Sequence, residues 1–382
     1  MSCHKKRVLH LLDSAGIYGA ENVVINLSRE MLKCDDYEPV VGCIVQSGCE
    51  KVALCDIAPQ YGIEAHTICI NNLTLLKDLP RLGRQLKDLQ VDLVHSHGYK
   101  ASVFAFIAKL YSGIPVMATC HLWFEGGGCP LKKRFMIALE KIFYRFFPVV
   151  VGVSENIRQV LINVGIQEEQ IRVVKNGIVL SDYRPLAPVV KEKLLAELDL
   201  GSGDVCVLNV GRLTVQKGQD VIVRAAGLLK EKMGTKIKFF IVGDGELRNS
   251  LQDQIDAYDL SDSVRLLGFR DDIPALLQVA DIFILPSLDE GMPMALLEAV
   301  ASRVPVVTTA VGDIPKLVID KVSGTVVEKN DASGLATVID RINNNRTGQQ
   351  AMVDEAWHRL QQNYSSSVMF LQYYTIYQEI LS

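Results

Sequence analysis

Short apolar runs alternate with stretches of helical periodicity along almost the whole chain, and no pattern in it restricts the fold more. Strands are expected at Arg7–Leu12, Pro39–Val45, Glu64–Ile70, Leu93–His97, Pro115–Cys120, Val149–Val153 and Arg172–Val174. Helical spacing fills the gaps at Gly19–Leu32, Leu75–Leu89, Ala101–Tyr111, Leu131–Phe147 and Glu155–Val164. Strand–helix alternation of this kind builds a parallel sheet with helices on both faces. The texture changes at Ser181–Asp204, where Pro185, Pro188, Gly201 and Gly203 punctuate one short charged helix, and this segment reads as an inter-domain linker. The alternation then begins again. Strands are expected at Val205–Val210, Lys236–Val242, Val264–Leu267, Ile282–Leu285 and Val304–Thr308, with helices near 218–232, 245–258, 272–279, 293–302 and 313–319. The pattern predicts two doubly wound α/β domains facing a central cleft. Their expected bounds are 1–182 and 183–365, with a Tyr-rich helix at about 366–382 packing back on the first.

In open α/β sheets ligands bind beyond the carboxyl ends of the strands, so the turns at those ends carry the functional reading. After Ile282–Leu285 comes Ser287–Ala299, in which Glu290 sits in a turn broken by Gly291 and Pro293, and Glu298 lies inside the following helix. Pro293 suits a first helical position, where a missing N–H costs nothing. After Val205–Val210 comes Gly211–Gly218, where Arg212 and Lys217 form either a diphosphate clamp or two solvated cations; the strand-end position favours the clamp. The turn Asp13–Glu21 holds Gly16 and Gly19, which would let a phosphate approach a helix N-terminus, although the spacing is not a dinucleotide fingerprint. In Leu266–Asp272 the chain turns at Gly268 and passes Phe269 and Arg270. Asp271 and Asp272 there serve simply as helix caps, or the backbone edge meets a nucleobase that Arg270 stacks on or shields. His95 and His97 end one strand and His121 the next, which favours a functional role for at least one of them. A metal site made by these three is the minor alternative, because no carboxylate or cysteine completes a recognisable set.

Composition narrows the classes. A formal net charge of −4 argues against a nucleic-acid binder. Nine cysteines without a C-x-x-C pair read as buried thiols in a reducing compartment. The basic start, Met1–Lys6, precedes an apolar stretch that His10 interrupts and Asp13 ends, too short for a signal peptide, and no run approaches the ~18 apolar residues of a spanning helix. A cytoplasmic protein is expected. The helix Leu131–Phe147 carries Leu131, Phe135, Leu139, Ile142, Phe143 and Phe146 at helical spacing, with Arg134, Lys141 and Arg145 on another side. It is either an ordinary packed helix or a basic amphipathic surface that docks at the inner face of an anionic membrane.

Taken in order, these turns resemble the family-4 retaining glycosyltransferases (glycosyl transferases group 1) of the GT-B fold. The resemblance rests on Val210-Gly211-Arg212-Leu213 with Lys217-Gly218, on Ile241–Gly245, Leu267–Phe269 and Pro286–Ala299 with its Glu290-x7-Glu298 spacing, and on Pro305–Val307. The first half adds Gly16–Glu21, His95-x-His97, His121, Val153-Ser154 and Asn176-Gly177. It implies two Rossmann-like domains, the first for an acceptor and the second for a nucleotide sugar. By the same resemblance Arg212 and Lys217 bind the diphosphate, Glu298 the ribose hydroxyls, and backbone near Gly268–Arg270 the base. Glu290, with Gly291, Met292 and Pro293 beside it, lines the donor sugar. His121 lies by the reacting bond, and Gly16 and Gly19 approach the phosphates. The expected donor is a UDP-sugar, the expected acceptor a glycan or lipid-linked glycan of polysaccharide synthesis, and neither a metal nor a further cofactor is implied. The sequence departs from the family where Tyr18 precedes Gly19, where Met292 replaces an aromatic or bulky residue, and where Arg303 replaces a glycine before the Pro-Val-Val strand. The competing functions are a nucleotide-sugar epimerase of the same architecture and a non-catalytic nucleotide-sugar-binding protein.

Overall fold

A computed structural model of the chain describes residues 5–13, 19–46, 52–70, 83–121, 131–233, 236–345 and 347–382, with backbone alone at 46, 70, 108, 131–134, 136 and 233. The chain divides into two compact units, Met1–Gly177 with Ser366–Ser382, and Ile178–Ser365.

In the first unit the strands are β1 (Lys6–Leu12), β2 (Tyr37–Gln46), β3 (Glu64–Ile70), β4 (Leu93–His97), β5 (Val116–Cys120), β6 (Val150–Gly152) and β7 (Ile171–Val173). They form one parallel sheet in the order β3-β2-β1-β4-β5-β6-β7. Order reverses between β1 and β4, the point where such sheets open a crevice. Side chains alternate across the sheet. Leu9, Leu11, Val94 and Ala118 lie together in one apolar cluster. The residues between them on the same strands, His10, His95, His97 and Thr119, belong to the other face and are buried as well. Register sets them side by side, His10 opposite His95 and His97 opposite Thr119. The helices Gly19–Met31 and Ser366–Leu381 pack against each other in this unit.

The second unit contains β8 (Val205–Val210), β9 (Ile237–Val242), β10 (Val264–Gly268), β11 (Ile282–Leu285), β12 (Val306–Thr309) and β13 (Thr325–Val327). All pair in parallel, in the order β10-β9-β8-β11-β12-β13, and the reversal falls between β8 and β11. The apolar runs look continuous because both faces are covered. Leu208, Phe240, Phe283 and Val306 pack into one cluster, and Val207, Phe239, Ile282, Ile284 and Val307 into another.

Several expectations change. The segment read as a linker is part of the second unit: its helix, Pro188–Glu197, leads into the same core through Leu194 and Leu198. A sixth strand, β13, had no apolar run to announce it. The helix expected at 313–319 is only Ile314–Leu317, since Val318 returns to extended backbone. Pro293 is the N-cap of the helix Met294–Ala301, one residue before the first helical position. The helix beginning at Leu131 ends at Tyr144, and tighter turns, with Arg145, Phe146 and Phe147 N–H donating to the carbonyls three residues back, lead to Pro148.

Candidate active site

The turns after β8 and β11 meet at the switch point of the second unit. After β8, Thr214 and the turn Val215–Lys217 lead to Gly218, whose φ of +68° is left-handed. A Cβ at Gly218 would stand 2.3 Å from the Pro286 carbonyl oxygen, so only glycine lets this turn lie on the one after β11. Hydrogen bonds fasten the two: the Leu288 N–H donates to the Gln216 carbonyl (2.8 Å), and Gln216 Nε2 to the Asp289 carbonyl (2.8 Å). The turn after β12 closes from the other side, with Asp313 N–H donating to the Gly291 carbonyl (3.0 Å) and Gly312 under the Glu290 carbonyl, where a Cβ would stand 1.9 Å away.

This scaffold brings charges together. Lys217 Nζ lies 2.6 Å from Glu290 Oε1, and the same oxygen accepts from Ser287 Oγ at 2.8 Å. The Glu290 side chain is only 7% exposed and that of Lys217 20%. Water is largely excluded, so each charge acts with little screening. Ser287, fully buried, holds the carboxylate from below, a role that its type and position did not reveal. Arg212 is exposed on the same turn, and its carbonyl accepts from Gln219 Nε2 at 3.0 Å. Beneath them Asn209, on β8, donates from Nδ2 to the Ile284 carbonyl of β11 (2.8 Å), fixing the two strand ends at the crevice.

Glu298 lies in the second turn of the helix Met294–Ala301, half-buried. Burial pushes its carboxyl up to about 7, and a hydrogen bond from the Tyr183 hydroxyl offsets part of that rise. The Met292 side chain is 6% exposed and belongs to the core, so at Gly291–Pro293 only backbone is offered to a ligand. At the end of β10, Gly268 has φ +71°, and its carbonyl accepts from Gly243 N–H (2.8 Å). Phe269 is 62% exposed. Arg270 is already engaged, forked on Asp272 (2.7 and 2.6 Å) and bonded to Glu197, and these bonds raise its pKa further. Asp272 stands at the N-cap of the helix Ile273–Leu277 but makes no capping bond, having turned its carboxylate to Arg270 instead.

In the first unit Gly19 opens the helix Gly19–Met31, and Gly16 and Tyr18 lie outside the described residues. His95 and His97 are not open to a cleft; both are fully buried, and His10, which drew no functional reading in the sequence, joins them. Their rings run in a row: His10 Nδ1 to His97 Nε2 at 3.1 Å, then His97 Nδ1 to His121 Nε2 at 3.2 Å. His95 turns aside, its Nδ1 on the Tyr377 hydroxyl (2.9 Å) and its Nε2 on Thr119 Oγ1 (2.7 Å), which also bonds the Tyr373 hydroxyl (2.8 Å). Burial drives all four imidazoles towards the neutral form, His10 down to about 3 and His121 to about 4. His10, His95 and His97 lie close enough to hold a metal ion, but Thr119 and Tyr377 already occupy both nitrogens of His95.

The stripe on the helix Leu131–Tyr144 is packed in part: Leu139 and Phe143 are half-buried, and the Phe143 ring stacks on Phe106 with centres 4.9 Å apart. Ile137 and Tyr144 face the core, while Phe135 (62% exposed), Ile142 and, just beyond, Phe146 face out. Leu110 and Tyr111, at the end of the helix Tyr99–Ser112 that packs against it, are exposed too. Among the described residues no helix is long and apolar enough to cross a membrane.

Comparison with known proteins completes the description. The family model for Glycosyltransferase Family 4 matches residues 17–182, and that for Glycosyl transferases group 1 matches 190–359. The UDP-Gal:alpha-D-GlcNAc-diphosphoundecaprenol alpha-1,3-galactosyltransferase of Escherichia coli is 30% identical over 294 residues, covering 73% of this chain and 74% of that protein. The N,N'-diacetylbacillosaminyl-diphospho-undecaprenol alpha-1,3-N-acetylgalactosaminyltransferase of Campylobacter jejuni is 31% identical over 241 residues, 61% of this chain and 62% of that one. Among solved structures, Anabaena HepE in complex with UDP and glucose superposes with a TM-score of 0.83 at 21% identity, covering 98% of this chain and 100% of that one. A glycosyltransferase from Rickettsia africae does so with 0.82 at 22%, covering all of both chains.

Proposed function

The chain belongs to the glycosyltransferases of group 1 and family 4, with the two Rossmann-like domains of the GT-B fold, and from that premise we propose that it transfers a hexose from a UDP-sugar, with retention of anomeric configuration, to a lipid-linked glycan acceptor. The observation that carries the reading is the Lys217–Glu290–Ser287 cluster beside Arg212 at the β8/β11 switch point. The donor assignment takes support from the UDP-Gal named for the E. coli relative and the UDP bound in the Anabaena structure. The acceptor assignment takes support from the diphosphoundecaprenol substrates named for both relatives.

In this reading the bond between the anomeric carbon and the diphosphate oxygen breaks, and a bond to the acceptor hydroxyl oxygen forms on the same face. The hydroxyl proton passes to the departing phosphate oxygen. Charge gathers on the diphosphate as it leaves, and Arg212 and Lys217 are the fixed cations that meet it. Lys217 comes to the phosphate from Glu290, so the carboxylate that positions the sugar also holds the lysine in place beforehand. Glu298 accepts from the ribose hydroxyls, and the exposed backbone edge at Gly268–Phe269 receives the base, with Arg270 a buttress of that edge. The outward Phe135, Ile142 and Phe146, on a helix with basic residues, would rest on the anionic membrane that carries the acceptor.

A thermal-shift screen of nucleotide sugars, followed by transfer assays, tests the proposal. UDP-hexoses are expected to raise the melting temperature, and Lys217→Ala to remove the shift. Glu290→Gln should retain donor binding and lower transfer about 100- to 1,000-fold. A protein that interconverts nucleotide sugars without transferring them, or that binds none, would overturn it. The triple variant F135A/I142A/F146A is expected to lose binding to anionic vesicles, and unchanged binding would remove the membrane contact.

A further inference from the structure

Arg248 opens the helix Arg248–Ala257 that follows β9, and its side chain is half-buried. Its backbone N–H donates to the Gly245 carbonyl (3.2 Å), but its guanidinium has no hydrogen bond or ion pair among the described residues. A guanidinium carries N–H donors only and keeps its charge, so withdrawing it from part of its water without a partner is unfavourable. Arg270 shows the usual solution, with its donors spent on Asp272 and Glu197. Arg248 reaches instead to the turn after β10. Its Nη1 stands 3.5 Å from the place a Cβ on Gly268 would take. The pairing of β10 with β9 shifts between Leu266 and Gly268, and an irregularity of this kind re-aims the chain where a ladder ends. Gly268 is left-handed there and has no side chain, so the guanidinium lies against bare backbone. The Gly268 carbonyl accepts from Gly243 N–H (2.8 Å). The donors of Arg248 are thus left to a ligand at this turn.

We infer that Arg248 selects the base of the donor, its guanidinium donating to the 4-carbonyl oxygen of a uracil or thymine laid against the Gly268 turn. The inference rests on the reading above that the base meets the Gly268–Phe269 edge, and it adds the residue that tells one base from another. All the residues it uses belong to the second unit. In that sheet β10 stands at the end of the order, with β9 between it and β8, whose following turn carries Lys217. A nucleotide with its diphosphate on the Lys217 turn meets the turn after β10 with the part of the base remote from the ribose. In a pyrimidine that part is the 4-position, where uracil has a carbonyl and cytosine an amino group. The carbonyl brings lone pairs to Arg248; the amino group would set N–H against N–H and leave the cation unpaired. The chemical class that follows is a uridine or thymidine diphosphate sugar, with cytidine diphosphate sugars refused.

Calorimetric titration of the full-length protein with UDP and with CDP is the first test. UDP is expected to bind about ten- to 100-fold more tightly, the worth of one well-made base contact. 4-Thio-UDP, whose sulfur is a poor acceptor, should fall between the two. Equal affinities for UDP and CDP would overturn the inference. Arg248→Met keeps an apolar stem beside Gly268 and removes the donors. Its preference for UDP over CDP should fall towards parity, chiefly through weaker UDP binding. A loss of affinity by the same factor for both nucleotides would overturn the inference, since the arginine would then meet ribose or phosphate, or only support the fold. Arg248→Lys keeps the charge without the planar fork and provides a second reading should the methionine variant not fold. It is expected to retain only part of the preference, and a UDP-to-CDP ratio equal to the parent's would count against Arg248. Failure of UDP and of every UDP-sugar to bind refutes the proposed donor itself, whereas binding without preference for a base refutes the role of Arg248 alone.

Discussion

Arg303 shows how a residue can occupy a place that its backbone would give to glycine. Its φ of +57° is left-handed, which costs a residue with a Cβ about 1–2 kcal/mol. Its guanidinium bonds Asp354 at 2.7 Å and lies 4.4 Å from the centre of the Trp357 ring. An exposed ion pair contributes about 0–1 kcal/mol and a cation–π contact about 0.5–1, so contacts and strain nearly cancel. Arg303→Gly is therefore expected to leave stability within about 1 kcal/mol of the parent, whereas Arg303→Ala keeps the strain, loses both contacts and should cost about 1–2 kcal/mol in urea unfolding. Glu298 offers a second test. Its carboxyl is raised from 4.5 to about 7, so the unfolded chain releases its proton first as pH rises. The cost is absent below pH 4.5, grows between there and about 7, and is complete above. Glu298→Gln should thus gain stability relative to the parent on going from pH 4.5 to 8, on the order of 2 kcal/mol; a parallel pH profile for the two proteins would contradict it.

At the level of elements, the helix Ser366–Leu381 does more than cover a sheet. Tyr377 and Tyr373 complete the hydrogen bonding of His95 and Thr119, two buried groups otherwise bonded only to each other among the side-chain bonds described. Tyr377→Phe should cost about 1–3 kcal/mol in chemical denaturation. The sequence announced this helix, the alternation of strands and helices, and the charged turns, because each depends on local pattern. The bounds of β11 are those read from its apolar run, Ile282–Leu285. β13 escaped because Thr325–Val327 is too short to show a period and is a strand only by pairing with β12. Ser287 and His10 were invisible as site residues for a different reason: their roles come from register and from turns meeting in space. His10 stands opposite His95 across the β1–β4 pair, and nothing in either local stretch states that alignment. Met292, which the resemblance set beside the donor sugar, turns its side chain into the core, an orientation that local sequence does not state.

Over the whole molecule the row of buried and half-buried histidines is expected to add to the response to acid. All four have pKa values below the usual 6.5, so the unfolded chain takes up protons that the folded first unit refuses. Their contribution is complete above about pH 6.5 and is lost as pH falls towards the folded values, about 4 for His121 and 3 for His10. Stability should drop by several kcal/mol between pH 6.5 and 4.5, and His10→Phe should blunt that slope; a flat profile would show the histidines to be solvated. The division of the chain also has a kinetic side. The first unit is completed by Ser366–Leu381, which leaves the ribosome only after every residue of the second. At about 5–20 residues per second, translation of the intervening domain takes roughly 10–40 s. Throughout that interval the nascent sheet holds His95 and Thr119 without their tyrosines, so the half of the protein made first is the half finished last.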